Sequence, residues 1–245
     1  MHKLAPKFTV AEMDFHLAWA KAVRLCYKHG IDIVFGSTDE PKKARDAVIE
    51  IILTGDAISQ IQKREIHPNF PFKSIGQYCD EYTREFLEKY VKIPDNDDKK
   101  FAYLYFERLA HYEGADGTIV DQLAVLRNQM AEQIETGIMS NRSQMVTWQR
   151  KKDDYSVSPP CLQRIWQRFY PPKYIDVHLS WRSRDLIYAW QANIICVIEM
   201  LNREVYEPLG LEIMRIDDFN DSLHIYEASL PIAEKIPISP QFANM

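Results

Sequence analysis

An α+β fold, built as one domain around a mixed or antiparallel sheet flanked by helices, is what this sequence predicts. Three observations carry that expectation. The 245 residues are 46% hydrophobic and 27% charged, which suits one sizeable core under a charged surface, so residues 1–245 are read as a single domain. Apolar residues recur at helical spacing in some segments and alternate in others. The two kinds of segment follow one another irregularly, with no internal repeat.

Residues 10–28 read as a helix, because Phe15, Trp19, Val23 and Tyr27 are spaced by four. The run DAVIEIIL, 46–53, reads as a strand, and Pro68 and Pro71 punctuate the connection that follows. Residues 75–90 read as one helix with Tyr78, Tyr82, Phe86 and Tyr90 on a single face, and 93–100 as a polar loop. Another helix is expected over 117–136, with Val120, Leu123, Met130 and Ile134 roughly in phase. Ile175, Val177, Leu179 and Trp181 alternate with Asp176, His178 and Ser180, the pattern of a strand with one polar face. A long helix is expected from Asp185, as N-cap, to about Tyr206. SLHIY, 222–226, reads as a short strand.

The formal net charge of −5 lacks the basic excess of a general nucleic-acid binder, so no DNA partner is expected, although a few placed arginines suffice for one phosphate. The four cysteines, Cys26, Cys79, Cys161 and Cys196, form no C-x-x-C pair and are expected to be reduced thiols, with no metal site. No signal peptide and no bilayer-spanning run are visible, and the expected location is the cytoplasm, with no membrane partner.

Several residues have types suited to chemistry. Cys161 lies in SVSPPCLQ, where two prolines stiffen the approach to the thiol. Arg182 and Ser183 stand at an expected strand–helix junction, where backbone N–H groups favour an anion. Asn193 lies eight residues after Asp185, a little over two helical turns, which puts both on one face. Its amide is open to two readings, a satisfied core group or a donor–acceptor pair for the edge of uracil. His224 and Tyr226 share one face of their strand, as sugar ligands or as ordinary strand residues. Glu85, in DEYTREFLEKY, is either a solvated helix residue or an acid–base group at the edge of an apolar face.

Taken together, Pro159-Pro160-Cys161, Arg182-Ser183-Arg184-Asp185, Asn193 and His224-Ile225-Tyr226 occur in the order found in the thymidylate synthase and pyrimidine hydroxymethylase family, and the chain resembles that family most from about 139 to 227. RDLIYAWQAN and SLHIYE resemble the short archaeal synthases, whereas VIEII and DEYTREFLEKY resemble the phage deoxycytidylate hydroxymethylases. FAYLYFERLAHY resembles a tyrosine-containing segment of both groups. The resemblance implies a thymidylate synthase-like fold that dimerises through its sheet. It implies a pyrimidine nucleoside monophosphate as substrate and 5,10-methylenetetrahydrofolate as cofactor.

Residue by residue, the resemblance implies that Cys161 is the nucleophile toward carbon 6 of the ring. Arg182 and Ser183 would hold phosphate, joined by Arg142 from the other subunit of a homodimer. Asn193 would read the uracil edge, and His224 and Tyr226 the sugar 3′-hydroxyl. Asp185 would sit between nucleotide and folate, Glu85 would organise proton transfer, and Tyr105 would lie near the reacting carbon. Trp181 stands where glutamine is common, Arg184 where a small or neutral residue is usual, and Asn141 where many members have a second arginine. The expected reaction is methylation of dUMP to dTMP. The alternatives are a uridylate or cytidylate hydroxymethylase, and a family member that binds nucleotide or RNA without turnover.

Overall fold

A computed structural model of the chain describes residues 4–36, 41–94, 97 and 100–237. Strand β1 (Lys7–Glu12) comes first, followed by helix α1 (Phe15–His29). The helix expected from residue 10 therefore starts later. Val10–Glu12 are committed to ladder pairing with residues 51–53, and the Asp14 carboxylate caps α1 by accepting the Leu17 N–H at 2.7 Å. At the end of α1, a Cβ on Gly30 would lie 2.5 Å from the Cys26 carbonyl oxygen, so the turn into β2 (Ile31–Gly36) admits only glycine. Strand β3 (Pro41–Thr54) contains the expected strand and extends it toward the N-terminus.

After α2 (Asp56–Gln62), the single helix expected over 75–90 is instead two short ones, α3 (Gly76–Asp80) and α4 (Arg84–Tyr90). Thr83 is extended, and its hydroxyl accepts the Phe86 N–H at 3.2 Å, which starts a new helix with a new phase. Of the polar loop expected over 93–100, residues 95, 96, 98 and 99 lie outside the described residues. Helix α5 (Tyr105–Ala110) leads into a small hairpin of β4 (Tyr112–Glu113) and β5 (Ile119–Val120). Helix α6 (Gln122–Thr136) then begins five residues later than its periodicity suggests, because Asp121 caps it and Val120 belongs to the hairpin.

The second half runs β6 (Gln144–Val146), α7 (Arg150–Asp153), β7 (Leu162–Tyr170), β8 (Tyr174–Trp181), β9 (Arg184–Asp185), α8 (Trp190–Leu201), β10 (Glu212–Tyr226) and α9 (Leu230–Lys235). The long helix does not start at Asp185. That residue is a β9 residue opposite His224, and its carboxylate closes a turn by accepting the Ile187 and Tyr188 N–H groups at 2.8 and 3.0 Å. Asp185 and Asn193 thus do not share a helix. SLHIY is the end of the 15-residue β10 rather than a short strand of its own.

The main sheet is mixed, in the order β1-β3-β10-β8-β7-β6, with β2 beside the start of β3 and β9 beside the end of β10. Its β1–β3 and β10–β8 pairs are parallel, and β3–β10, β8–β7 and β7–β6 are antiparallel. On one face Ala47, Ile49, Ile51, Leu53, Ile175, Val177, Leu179 and Trp181 are fully buried. This face joins the core of α1, α2 and α8, where Phe15 stacks on Trp190 at 5.1 Å. Helix α8 is buried almost all round, as expected for a helix at the centre of a domain. The other face carries Glu50, Asp176, His178, Ser180 and Asp217, so the alternation read in β8 does separate an apolar from a polar side. Among the described residues, no helix is long and apolar enough to cross a membrane.

Candidate active site

Strand adjacency brings the chemistry-bearing segments together. Strand β8 lies between β7 and β10, with Leu162 opposite Trp181 and His224 opposite Asp185. The start of β7, the junction of β8 with β9 and the end of β10 therefore meet at one end of the sheet. Cys161, Ser183, Arg184, Asp185, His224 and Tyr226 line a single cleft of about 660 Å³ there. Helix α8 adds Asn193, and α3 with its following turn adds Tyr78, Glu81 and Tyr82.

Cys161 is partly exposed, and its carbonyl oxygen accepts the Arg182 N–H at 3.0 Å. The Arg182 guanidinium does not line the cleft. It grips the proline pair before the cysteine, donating to the Pro159 oxygen at 2.6 Å and to the Pro160 oxygen at 3.0 Å. In this state the residue read as a phosphate ligand braces the loop that presents the thiol. Tyr105 also lines the cleft, its hydroxyl 3.5 Å from that of Tyr103, and burial raises both phenols above their ordinary range.

Asn193 is 7% exposed and faces the cleft, and among the described residues its side-chain amide makes no hydrogen bond. Buried amides are normally satisfied, so an amide without a protein partner at a cleft wall is available to a ligand. Glu85 stands elsewhere. The break before α4 turns it to the exposed surface, outside the cleft, and the cleft wall instead holds Glu81 beside Asp185, both with carboxyls that burial raises. Arg142 is exposed beside Ser140 and lines a separate groove with Gln129, Glu132 and Met139, so within one chain it does not reach the cleft.

His224 is held by a relay absent from the sequence reading. Ser222 Oγ lies 3.4 Å from His224 Nδ1 and donates to the Asp46 carboxylate at 2.6 Å. With that donor committed, the hydroxyl accepts from Nδ1–H and leaves Nε2 as an acceptor with no protein partner among the described residues. Burial pushes His224 down to about 4 from 6.5, so the ring is neutral at pH 7. As pH falls, the unfolded chain takes up this proton first. The histidine's contribution to stability is thus intact above about pH 6.5 and is lost toward pH 4, a change of about 3 kcal/mol. The ring should titrate near pH 4 by NMR. The stability gap between wild type and His224→Gln should narrow by roughly that amount between pH 7 and pH 4, and a constant gap would refute the assignment.

Arg184 also lines the cleft. Its guanidinium lies 4.1 Å over the Trp181 ring, pairs with Asp218, and donates through Nε to Asn220 Oδ1 at 3.0 Å. Asp218 also accepts from Trp190 Nε1 at 2.8 Å and from Asn220 Nδ2 at 2.9 Å. Two of the three unusual residues of the sequence, Trp181 and Arg184, are therefore in direct contact. Glu81, Tyr103, the Asp46–Ser222 relay and the Asp218–Asn220 pair were all missed from sequence. The only signal for them was a carboxylate or tyrosine close in sequence to one already chosen, as Glu81 is to Glu85 and Tyr103 to Tyr105.

The family model described as thymidylate synthase matches residues 73–237. A Methanopyrus kandleri protein, provisionally named a thymidylate synthase, is 28% identical over 140 residues, which cover 57% of this chain and 62% of that protein.

Proposed function

Because the chain belongs to the thymidylate synthase family, we propose that it transfers one carbon from 5,10-methylenetetrahydrofolate to carbon 5 of dUMP, giving dTMP, with Cys161 as nucleophile. The observation that carries this reading is the pairing, in one cleft, of a partly exposed thiol with a buried amide that lacks a protein partner. The amide presents a donor beside an acceptor, which complements the N3–H and O4 of uracil.

The cleft also has features suited to the cofactor. Phe72 and Tyr78 are partly exposed at its rim, and Phe72 meets the Tyr188 ring at 5.8 Å. These rings would take the pterin, with Asp185 beside them. When bound, the folate would supply both the electrophilic carbon and the hydride that reduces it to a methyl group, leaving as dihydrofolate. The Cys161 thiolate adds to carbon 6 of the pyrimidine, and this addition makes carbon 5 nucleophilic. Asn193 donates to O4 as negative charge collects there. Glu81, in the position read from sequence for Glu85, exchanges protons with the ring through its raised carboxyl. Neutral His224 accepts the sugar hydroxyl proton at Nε2, and Tyr226 completes that contact. Ser183 binds phosphate, and Arg142 reaches it only from a second copy of the chain, so the active species is a homodimer formed through the polar sheet face.

The test is incubation of purified protein with methylenetetrahydrofolate and each of dUMP, dCMP, UMP and CMP, with products identified by mass. The expected product is dTMP from dUMP, from protein that runs as a dimer in light scattering. Asn193→Asp should shift preference toward cytosine by roughly tenfold to a hundredfold, since a mismatched buried polar partner costs about 1–3 kcal/mol. A core-amide role for Asn193 would instead lower the melting temperature and leave the ratio of specificity constants unchanged. A hydroxymethyl product, or wild-type preference for dCMP or CMP, would replace this reading with that of a hydroxymethylase.

A further inference from the structure

Two of the four cysteines meet away from the proposed nucleophile. Cys79 on α3 and Cys196 on α8 lie 117 residues apart in sequence, yet their sulfurs are 3.1 Å apart in the core. That separation is inside ordinary contact and about 1 Å from the length of an S–S bond. Cys26 offers no such partner. Its thiol sits against the Arg45 and Leu223 carbonyls, and burial lifts it to about 12.

A charged pair lies beside the two thiols. Arg64 binds Glu199 through two contacts of 2.6 and 2.5 Å, and both residues act electrostatically on the sulfurs. Glu199 is three residues beyond Cys196 on the same helix, and its side chain is 28% exposed, which links the thiol pair to solvent. The two thiols share a hydrogen bond in which either can donate, and this contact holds the Cys79 thiol below its ordinary range and raises that of Cys196. Cys79 is thus the better thiolate of the two. Helix α3 has only five residues, and Gln77, Tyr78 and Asp80 around the cysteine are exposed, so it is poised to open locally.

We infer that Cys79 and Cys196 form a reversible dithiol–disulfide site that takes a small disulfide such as oxidised glutathione and clamps α3 to α8 beside the cleft. The Cys79 thiolate attacks one sulfur of the oxidant, forms a mixed disulfide and expels one thiolate. Cys196 then gives up its proton, by way of Glu199 to water, and attacks the Cys79 sulfur. The second thiolate leaves, and the Cys79–Cys196 bond closes. Two electrons pass to the oxidant, which ends as two thiols. The bond would tie the turn bearing Tyr78, Glu81 and Tyr82 to the helix bearing Asn193, about one turn before Cys196. This site stands independently of the reaction proposed above.

The experiment is incubation of the wild-type chain with excess oxidised glutathione, followed by alkylation of free thiols and peptide mapping without reduction. The expected result is a peptide pair joined through Cys79 and Cys196, with the protein lighter by two hydrogens. Its Tm should rise by about 5–10 °C, and dithiothreitol should reverse the rise. Cys79→Ser should abolish both changes. If that variant does not fold, the wild-type map decides alone. Free Cys79 and Cys196 after oxidation, or single glutathione adducts with no link between the two, would overturn the inference. Loss of dUMP turnover with the link intact would count only against the proposed reaction.

Discussion

Replacing Cys161 by alanine is expected to lower turnover by at least about 10⁴-fold while the protein stays folded and still binds nucleotide. The thiol lies at the cleft surface, partly exposed, and packs only on the edge of the core. Removing one sulfur there leaves little cavity, so the stability cost should stay near 1 kcal/mol or below. The loop that carries it is held independently of the side chain, by the Arg182 guanidinium on the Pro159 and Pro160 carbonyls and by Gln163 Nε2 on the Pro160 oxygen at 2.7 Å. Nucleotide contacts from Asn193, His224 and Tyr226 should survive, because none of them passes through the sulfur. Turnover, Tm and equilibrium nucleotide binding on one preparation separate the outcomes. Near-normal turnover would remove Cys161 as the nucleophile, and loss of folding would assign the residue a structural role.

The largest effect on stability is expected at Arg184. Its side chain and that of Asp218 are 1% and 0% exposed, so Arg184→Met leaves an ionised carboxylate in the core without its cation. Breaking a buried pair in this way costs about 3–5 kcal/mol, or roughly 10 °C in Tm for a chain of this size. Trp190 and Asn220 still donate to the carboxylate, which places the cost toward the lower end. The double variant Arg184→Met with Asp218→Leu removes both charges and should recover part of the loss, the remainder being the buried Trp190 Nε1–H left without its acceptor. Thermal and denaturant melts of the two variants decide the point. Equal losses in the single and double variants would mean that packing against Trp181, rather than the charge pair, is what Arg184 contributes.

The sequence by itself determined which residues line the cleft wherever the signal was local. Pro159-Pro160-Cys161, Ser183, Asp185 and His224-Ile225-Tyr226 are contiguous motifs, and the alternation in β8 separated its faces because a strand's period of two survives any tertiary context. The mixed α+β class was legible for the same reason. Tertiary structure decided where helices begin and what each side chain touches. The periodicity over 75–90 is continuous, but the Thr83 cap breaks the helix and exchanges Glu85 for Glu81 in the cleft. Val10–Glu12 fall inside the helix expected over 10–28, but pairing with β3 satisfies their backbone groups in a strand. Arg182 was expected at a phosphate, yet two carbonyls 22 and 23 residues away hold it. The thiol pair of Cys79 and Cys196, the Asp46–Ser222–His224 relay and the Arg184–Asp218 pair join segments 117, 176 and 34 residues apart. A local pattern carries no information about such contacts, because they exist only once the sheet order and the packing of α8 have been set.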